Sequence, residues 1–461
     1  MTTHRRQFLR LCGVAGVGAI AGCSDNSGDG TPTADQATST TTETRTETES
    51  PVQDRTQQAR LLPDDGDNRD DFGVSVTLSS DGNTALVGAK KDEDPNGEEA
   101  GSAYVFDRSG GSWTQQAKLL PDDGDSGDWF GESVTLSSDG TTALIGAPKN
   151  DFPNDSGESI LSGEGSAYVF DRAGGSWTQQ AKLTPDYVPS MDAFGVSVAL
   201  SSDGATALVG AYHDEDPNTG RLGTDYVFDR SGGSWTQKAK LAPDDVGSDD
   251  EFGGSVTLSG DGTTALIGAD TDSAPNGENS GSAYVFASTG DPWTEQAKLV
   301  PDDGDSDDFF GNSVTLSSDG GTALIGAGSD EDPNGDGAGS AYVFDRSSDS
   351  WTQQAKLAPD DGDEYDVFGN SVTLSSDGAT ALIAAGGDED PNGTLAGSAY
   401  VFGRSGDSWT QQAKVALDDG EESDHFGASV ALSSDGATAL IGARGDKAPY
   451  GNFAGSAFIF E

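Results

Sequence analysis

Cysteine is nearly missing: the 461 residues hold two, Cys12 and Cys23, both close to the amino terminus. The rest of the chain therefore has no disulfide, no thiolate metal site and no cysteine nucleophile. Histidine is almost as scarce, with His4, His213 and His425 alone, so neither zinc-ligand spacing nor a serine–histidine pair can be assembled from sequence. Basic residues number 25 against 79 acidic ones, for a formal charge of −54. A nucleic-acid partner needs a basic stripe and an anionic membrane surface needs a basic patch; the chain offers neither. It also lacks an apolar run of the roughly 20 residues that would cross a bilayer. No part of the repeating region has a helical period.

What is present falls into three parts: residues 1–22, 23–53 and 54–461. Arg5 and Arg6 precede Gln7-Phe8-Leu9-Arg10, and a short Gly/Ala/Val stretch follows from Leu11 to Gly22. The twin arginines, the short apolar stretch and the ending Ile20-Ala21-Gly22-Cys23 resemble the signal of a lipoprotein exported by the twin-arginine route. That resemblance implies cleavage before Cys23, lipidation of Cys23 and a place on the outer face of the cytoplasmic membrane. The alternative is an ordinary secretory signal with an incidental cysteine. From Thr31 to Ser50 there are nine threonines and almost no apolar residue. Such a segment cannot bury enough surface to offset its ordering entropy, so it reads as a disordered stalk.

Beyond it the sequence repeats. Phe-Gly recurs at Phe72, Phe130, Phe194, Phe252, Phe310, Phe368 and Phe426, 58 residues apart except for 64 between the second and third. Each unit carries Phe-Gly-x-Ser-Val, then Thr-Ala-Leu-Ile/Val, then Ala-Tyr-Val-Phe, then Trp-Thr-Gln-Gln-Ala-Lys-Leu, with small departures. Glycine-rich turns separate these segments, which predicts four antiparallel strands, A to D. Seven units of four strands predict an all-β, seven-bladed β-propeller. In strand D, alternation places Trp113, Gln115, Ala117 and Leu119 on one face and Thr114, Gln116 and Lys118 on the other.

The two ends fit one another. Thr56-Gln57-Gln58-Ala59-Arg60-Leu61 is a spare D strand, while the chain stops after a C strand, Ser456-Ala457-Phe458-Ile459-Phe460. Pairing them would close the ring and remove two exposed strand edges. Phe130-Gly131 followed by Ile145-Gly146-Ala147-Pro148 resembles the FG-GAP repeat, whose best-known seven-bladed example is the integrin α-subunit head. The resemblance covers residues 54–461. It implies extracellular placement, adhesion or ligand binding, and often calcium in the A–B loop. The three parts together resemble an exported haloarchaeal lipoprotein.

The inherited calcium loop is depleted here. Asp81-Gly82 match its fifth and sixth positions, but Thr77, Ser79 and Ala85 stand where carboxylates are needed. One carboxylate cannot supply the six to eight oxygens calcium takes, so Ser-Asp-Gly reads as a hairpin turn. A second candidate lies between strands B and C. Asp92-x-Asp94-x-Asn96-Gly97 has the opening pattern of an EF-hand loop, and it recurs at Asp330, Asp332, Asn334 and at Asp388, Asp390, Asn392. The bidentate acid is lacking, and Pro-Asn-Gly is a turn signal in its own right; calcium and plain turn both stay open. Asn154 and Asn392 head glycosylation sequons.

The D–A and B–C connections must share one end of the propeller, and they hold 54 of the 79 carboxylates. That pole would gather cations or a basic partner; equally, it is the hydrated surface of a protein adapted to multimolar salt. Catalysis finds little support. His213 and His425 occupy variable loop positions, and the near-uniform repeats weigh against an enzyme: a shallow, near-sevenfold face favours a binder, whereas a deep pocket lined by non-repeating residues favours an enzyme. The expected function is a binding, adhesion or envelope-structural module whose ligand is an extracellular protein or a glycan. The rival is an extracytoplasmic hydrolase or cofactor-dependent oxidoreductase with its site in the acidic funnel. The tryptophans that open strand D, Trp113 to Trp409, read as rim packing rather than a sugar platform.

Overall fold

The computed structural model describes residues 55–461 except 94, 151–162, 187–192, 217–219, 222, 244, 246–249, 274–275, 289, 291, 332, 349, 390 and 448. Cys23, Asn154, Asp94, Asp332, Asp390 and the threonine-rich segment lie outside the described residues. No described residue is helical. Blade 1 pairs strand A (Phe72–Leu78) with B (Thr84–Ala89), C (Ser102–Ser109) and D (Ser112–Leu119) in that order. Five further antiparallel sheets repeat it. The seventh is built from both ends of the chain: Gln57–Leu61 pairs with Ser456–Phe460, next to Ala439–Ala443 and Phe426–Leu432. Ring closure through the spare strand is therefore as expected.

A second closure runs around the axis, at the A–B turns. The amide of Ser80 donates to Ser138, Ser138 to Ser202, Ser202 to Gly260, Gly260 to Ser318, Ser318 to Ser376, Ser376 to Ser434, and Ser434 back to Ser80, all at 2.8–3.0 Å. Seven backbone bonds thus form a closed cycle, each turn donating once and accepting once. Strand A is the innermost element, and its serines bridge neighbours: Ser133 Oγ donates to Gly195 O at 2.8 Å, while Ser75 Oγ accepts from Val134 N at 3.1 Å.

The Phe-Gly and Gly-Ala pairs have a steric cause. A Cβ on Gly88 would lie 2.0 Å from the carbonyl oxygen of Gly131 in the next blade, and one on Gly131 would lie 2.4 Å from Ser102 O. Glycine lets the two inner backbones touch. Blade 6 has Ala384 instead, and there Ser398 O stands back to 3.0 Å from the Cβ position of Gly427. Each Phe-Gly phenylalanine is wholly buried and meets two strand-C rings edge-on, as Phe72 meets Tyr104 at 5.6 Å and Phe106 at 6.0 Å. Such a ring contributes about 1.5–3 kcal/mol through burial alone.

Strand D departs from simple alternation. Gln115 pairs with Phe106 but Ala117 with Val105, so Gln116 is an extra, bulged residue. Its amide folds back onto Thr114 Oγ1 at 2.8 Å. One inserted residue flips everything after it. Trp113 and Gln115 consequently share a face with Lys118, while Ala117 and Leu119 face the next blade. Trp113 packs on the core between blades 7 and 1, and Ala117 and Leu119 on that between blades 1 and 2.

Candidate functional site

The flip brings Lys118 over the ring of Tyr104, 5.3 Å from its centroid, and onto the B–C loop. Its ammonium lies 2.8 Å from Asp92 and 2.7 Å from Asp65, and the Tyr104 hydroxyl donates to the nearer carboxylate, Asp92, with Asp65 at 3.0 Å. Asp330 and Asp388 are held alike, by Lys356 at 2.9 Å and Lys414 at 2.8 Å, with Tyr342 and Tyr400 donating. All three aspartates are buried. Each first member of the Asp-x-Asp-x-Asn pattern therefore already faces a cation of the chain itself. Asn334 and Asn392 turn their amide nitrogens to Pro359 O at 3.2 Å and Leu417 O at 2.7 Å, tying each loop to the following D–A loop. A glycan on Asn392 would have to displace that bond. Among the described residues no three His, Cys, Asp or Glu side chains gather as a metal ion requires. The calcium reading rests on Asp94, Asp332 and Asp390, outside the described residues. In the A–B turn Asp81 accepts from Ser79 Oγ at 2.7 Å and Asn83 N at 3.0 Å, which closes the hairpin.

The face carrying the D–A and B–C loops is not near-sevenfold in its side chains, although its backbone repeats. The residue before each Phe-Gly sits at the top of the innermost strand, around the mouth of the central axis. All seven are left-handed, with φ between 51° and 58°, and all seven differ: Asp71, Trp129, Ala193, Glu251, Phe309, Val367 and His425. That conformation costs a non-glycine residue roughly 1–2 kcal/mol. Backbone geometry alone would favour one glycine repeated seven times. The residues that follow strand B vary nearly as much, six types in seven positions: Lys90, Pro148, Tyr212, Asp270, Gly328, Gly386 and Arg444.

On the side of blades 7, 1 and 2, Trp129 lies between two ammonium groups, Lys90 at 4.9 Å and Lys149 at 2.9 Å from its ring centroid. Lys90 pairs with Glu132 at 2.9 Å, and Trp129 Nε1 donates to Glu99 at 3.0 Å. Burial, reinforced by Lys90 and Lys91, lowers the Lys149 pKa although Glu99 and Glu132 oppose it. Burial and the Arg444 charge likewise push His425 down. Between the blade 7 and blade 1 loops opens a cleft of about 630 Å³ lined by Arg69, Lys91, Glu99, His425, Arg444 and the exposed Phe453, among others. On the blade 3 and 4 side, burial and the charge of Glu251 raise Asp270 to about 6. Tyr212 is raised by burial and by Glu251, Glu132 and Asp270.

His425, read from sequence as an ordinary loop residue, thus stands at the mouth, while His213 lies against the Tyr212 ring, centroids 3.8 Å apart. Aligning the repeats and asking which columns never agree would have found this site. The strand-D tryptophans are half-buried and pack against the blade cores, as Trp113 and Trp177 do. The FG-GAP repeat model matches residues 55–106, 113–170, 177–228, 235–286, 293–344, 351–402 and 409–460. Each match opens at a D strand and ends in the C strand of the next blade, so every repeat straddles two blades. No curated protein matches the chain.

Proposed function

Since the chain belongs to the FG-GAP repeat family, we propose that it is a binding or adhesion module of the cell envelope, engaging its ligand at the axial mouth. One observation carries this reading: seven different side chains occupy one left-handed position in repeats that otherwise nearly coincide. Side chains held at a conformational cost, and varied where the fold asks for uniformity, suit recognition. Three aromatic rings, Trp129, Phe309 and Tyr212, stand there with charged groups, which suits a glycan or a protein loop. In this proposal the chain is exported, cleaved before Cys23 and anchored by lipid on the outer face of the membrane.

The test is retention from envelope extract at native salt, comparing the parent with Trp129→Ala/His425→Ala and with a strand-D control, Thr114→Ala. A defined ligand kept by parent and control but lost by the mouth variant supports the reading; equal retention by all three refutes it. A second reading, an extracytoplasmic hydrolase, is favoured by Asp270 beside Glu251, where a raised carboxyl could act as a general acid. Asp270→Asn would then abolish turnover of a glycan without abolishing its binding.

A further inference from the structure

We propose that the carboxyl groups of Asp308 and Asp330 share one proton, and that Asp70 with Asp92 in blade 1 and Asp366 with Asp388 in blade 6 do the same. The proposal holds whether or not the mouth binds a ligand. Blade 2 supplies the internal control. There Asn150 stands where the other blades have aspartate, and its Nδ2 donates to Asp128 Oδ2 at 2.9 Å while its Oδ1 accepts from Lys182 at 2.7 Å. The two positions are therefore within one hydrogen bond of each other. In blade 5 Asp330 replaces the amide and brings no N–H.

Asp308 Oδ2 accepts from Asp305 N at 2.7 Å, but its Oδ1 is buried without a partner, in a residue only 2% exposed. The charges facing it are negative from both loops, Asp305 on its own and Asp330 and Glu331 on the B–C loop. The one ammonium nearby, Lys356, is shared between Asp330 and Asp303. Two buried carboxylates placed as Asp128 and the Asn150 amide are in blade 2 cannot both be ionised without large repulsion. A proton on Asp308 provides the donor that the amide provides in blade 2. Burial first, then Asp330, raises Asp308 to about 7; burial and then Asp92 raise Asp70 to about 7, against the opposing Asp67 amide bond, and Asp366 reaches about 6. The same residues hold the mouth through their backbones, Asp70 O accepting from Lys91 N at 3.2 Å and Asp366 O from Gly387 N at 3.0 Å.

The sign follows from linkage. The native state keeps a proton that the unfolded chain releases near pH 4, so each pair favours folding at low pH. That contribution is lost as pH rises from about 4 to about 7 and then levels off. Equilibrium unfolding of the full chain should be followed from pH 4.5 to 8.5 at constant ionic strength, for the parent, Asp308→Asn and Asp366→Asn. Each amide should supply an N–H between the same two loops, from the side opposite to Asn150, take up one proton fewer on folding, and raise the midpoint relative to the parent by an amount that grows from about pH 4.5 to about 7 and is level above it. Parallel pH profiles, or variants weaker at every pH, would overturn the shared proton. So would a parent whose pH 8 stability rises with sodium or potassium chloride, but not choline chloride, more than the variants' does, since an alkali cation would then be the occupant.

Discussion

The amide of Ser434 donates to the carbonyl of Ser80 at 3.0 Å and completes a cycle of seven backbone hydrogen bonds around the axis. The two serines belong to the last and the first blade, so this bond exists only if the ring is closed. The outer closure is independent: Thr56 and Glu461 exchange two backbone bonds, at 2.8 and 3.1 Å, and Arg60 pairs with Asp446.

Removal of residues 55–62 should therefore expose the edge of Ser456–Phe460 and leave Leu61's place in the blade 7 and 1 core empty. We expect loss of the single cooperative transition in calorimetry, with aggregation through the freed edge. A shortened chain that melts as the parent does would refute the closed ring.

Asp225 breaks the repeat where blades 1, 2, 4, 5, 6 and 7 have alanine. It is fully buried, both carboxylate oxygens lack partners, and burial raises its pKa well above the ordinary value. Asp225→Ala should stabilise the protein by about 1–3 kcal/mol in denaturant unfolding at pH 7. Because a raised carboxyl costs most where the unfolded chain is ionised, the gain should shrink as pH falls toward 4.

Arg172, Arg230 and Arg404 each pair with an aspartate of the preceding blade, Asp107, Asp171 and Asp345, and Arg108 pairs with Glu461 across the closure. Arg346 faces Ala287 at that position and donates to Ser348 O instead. Ala287→Asp should give Arg346 its partner and Thr264 an acceptor, adding about 0.5–1 kcal/mol that fades in molar salt. An unchanged or lower unfolding midpoint at low salt would count against it.

A chain of formal charge −54 repels itself in dilute buffer. Melting temperature should rise between low and molar salt as the Debye length shortens to about 3 Å. A salt-independent melting temperature would remove the argument that the acidic pole costs stability.

If Cys23 carries the anchor, Cys23→Ser should move the exported protein from the membrane fraction to the medium and abolish labelling by a radioactive lipid precursor. Retention in the membrane would place the anchor elsewhere.

Seven units, four strands each, and the offset of the termini were legible because each is a property of spacing: Phe72 to Phe426 counts the blades, and Thr56-Gln57-Gln58-Ala59 matches the D strands without any geometry. The hairpin role of Asp81 was legible for the same local reason. Three things were not. The bulge at Gln116 changes which face Lys118 occupies, and only the register with strand C shows it. The carboxylates of Asp92, Asp330 and Asp388 looked like ion ligands because their partners, Lys118, Lys356 and Lys414, lie some 26 residues away and meet them through that bulge. The mouth was hidden because Asp71, Trp129 and His425 are far apart in sequence and meet only where seven innermost strands converge. Periodicity along a chain specifies its own repeat; which departures from the repeat become neighbours is decided by closing the ring.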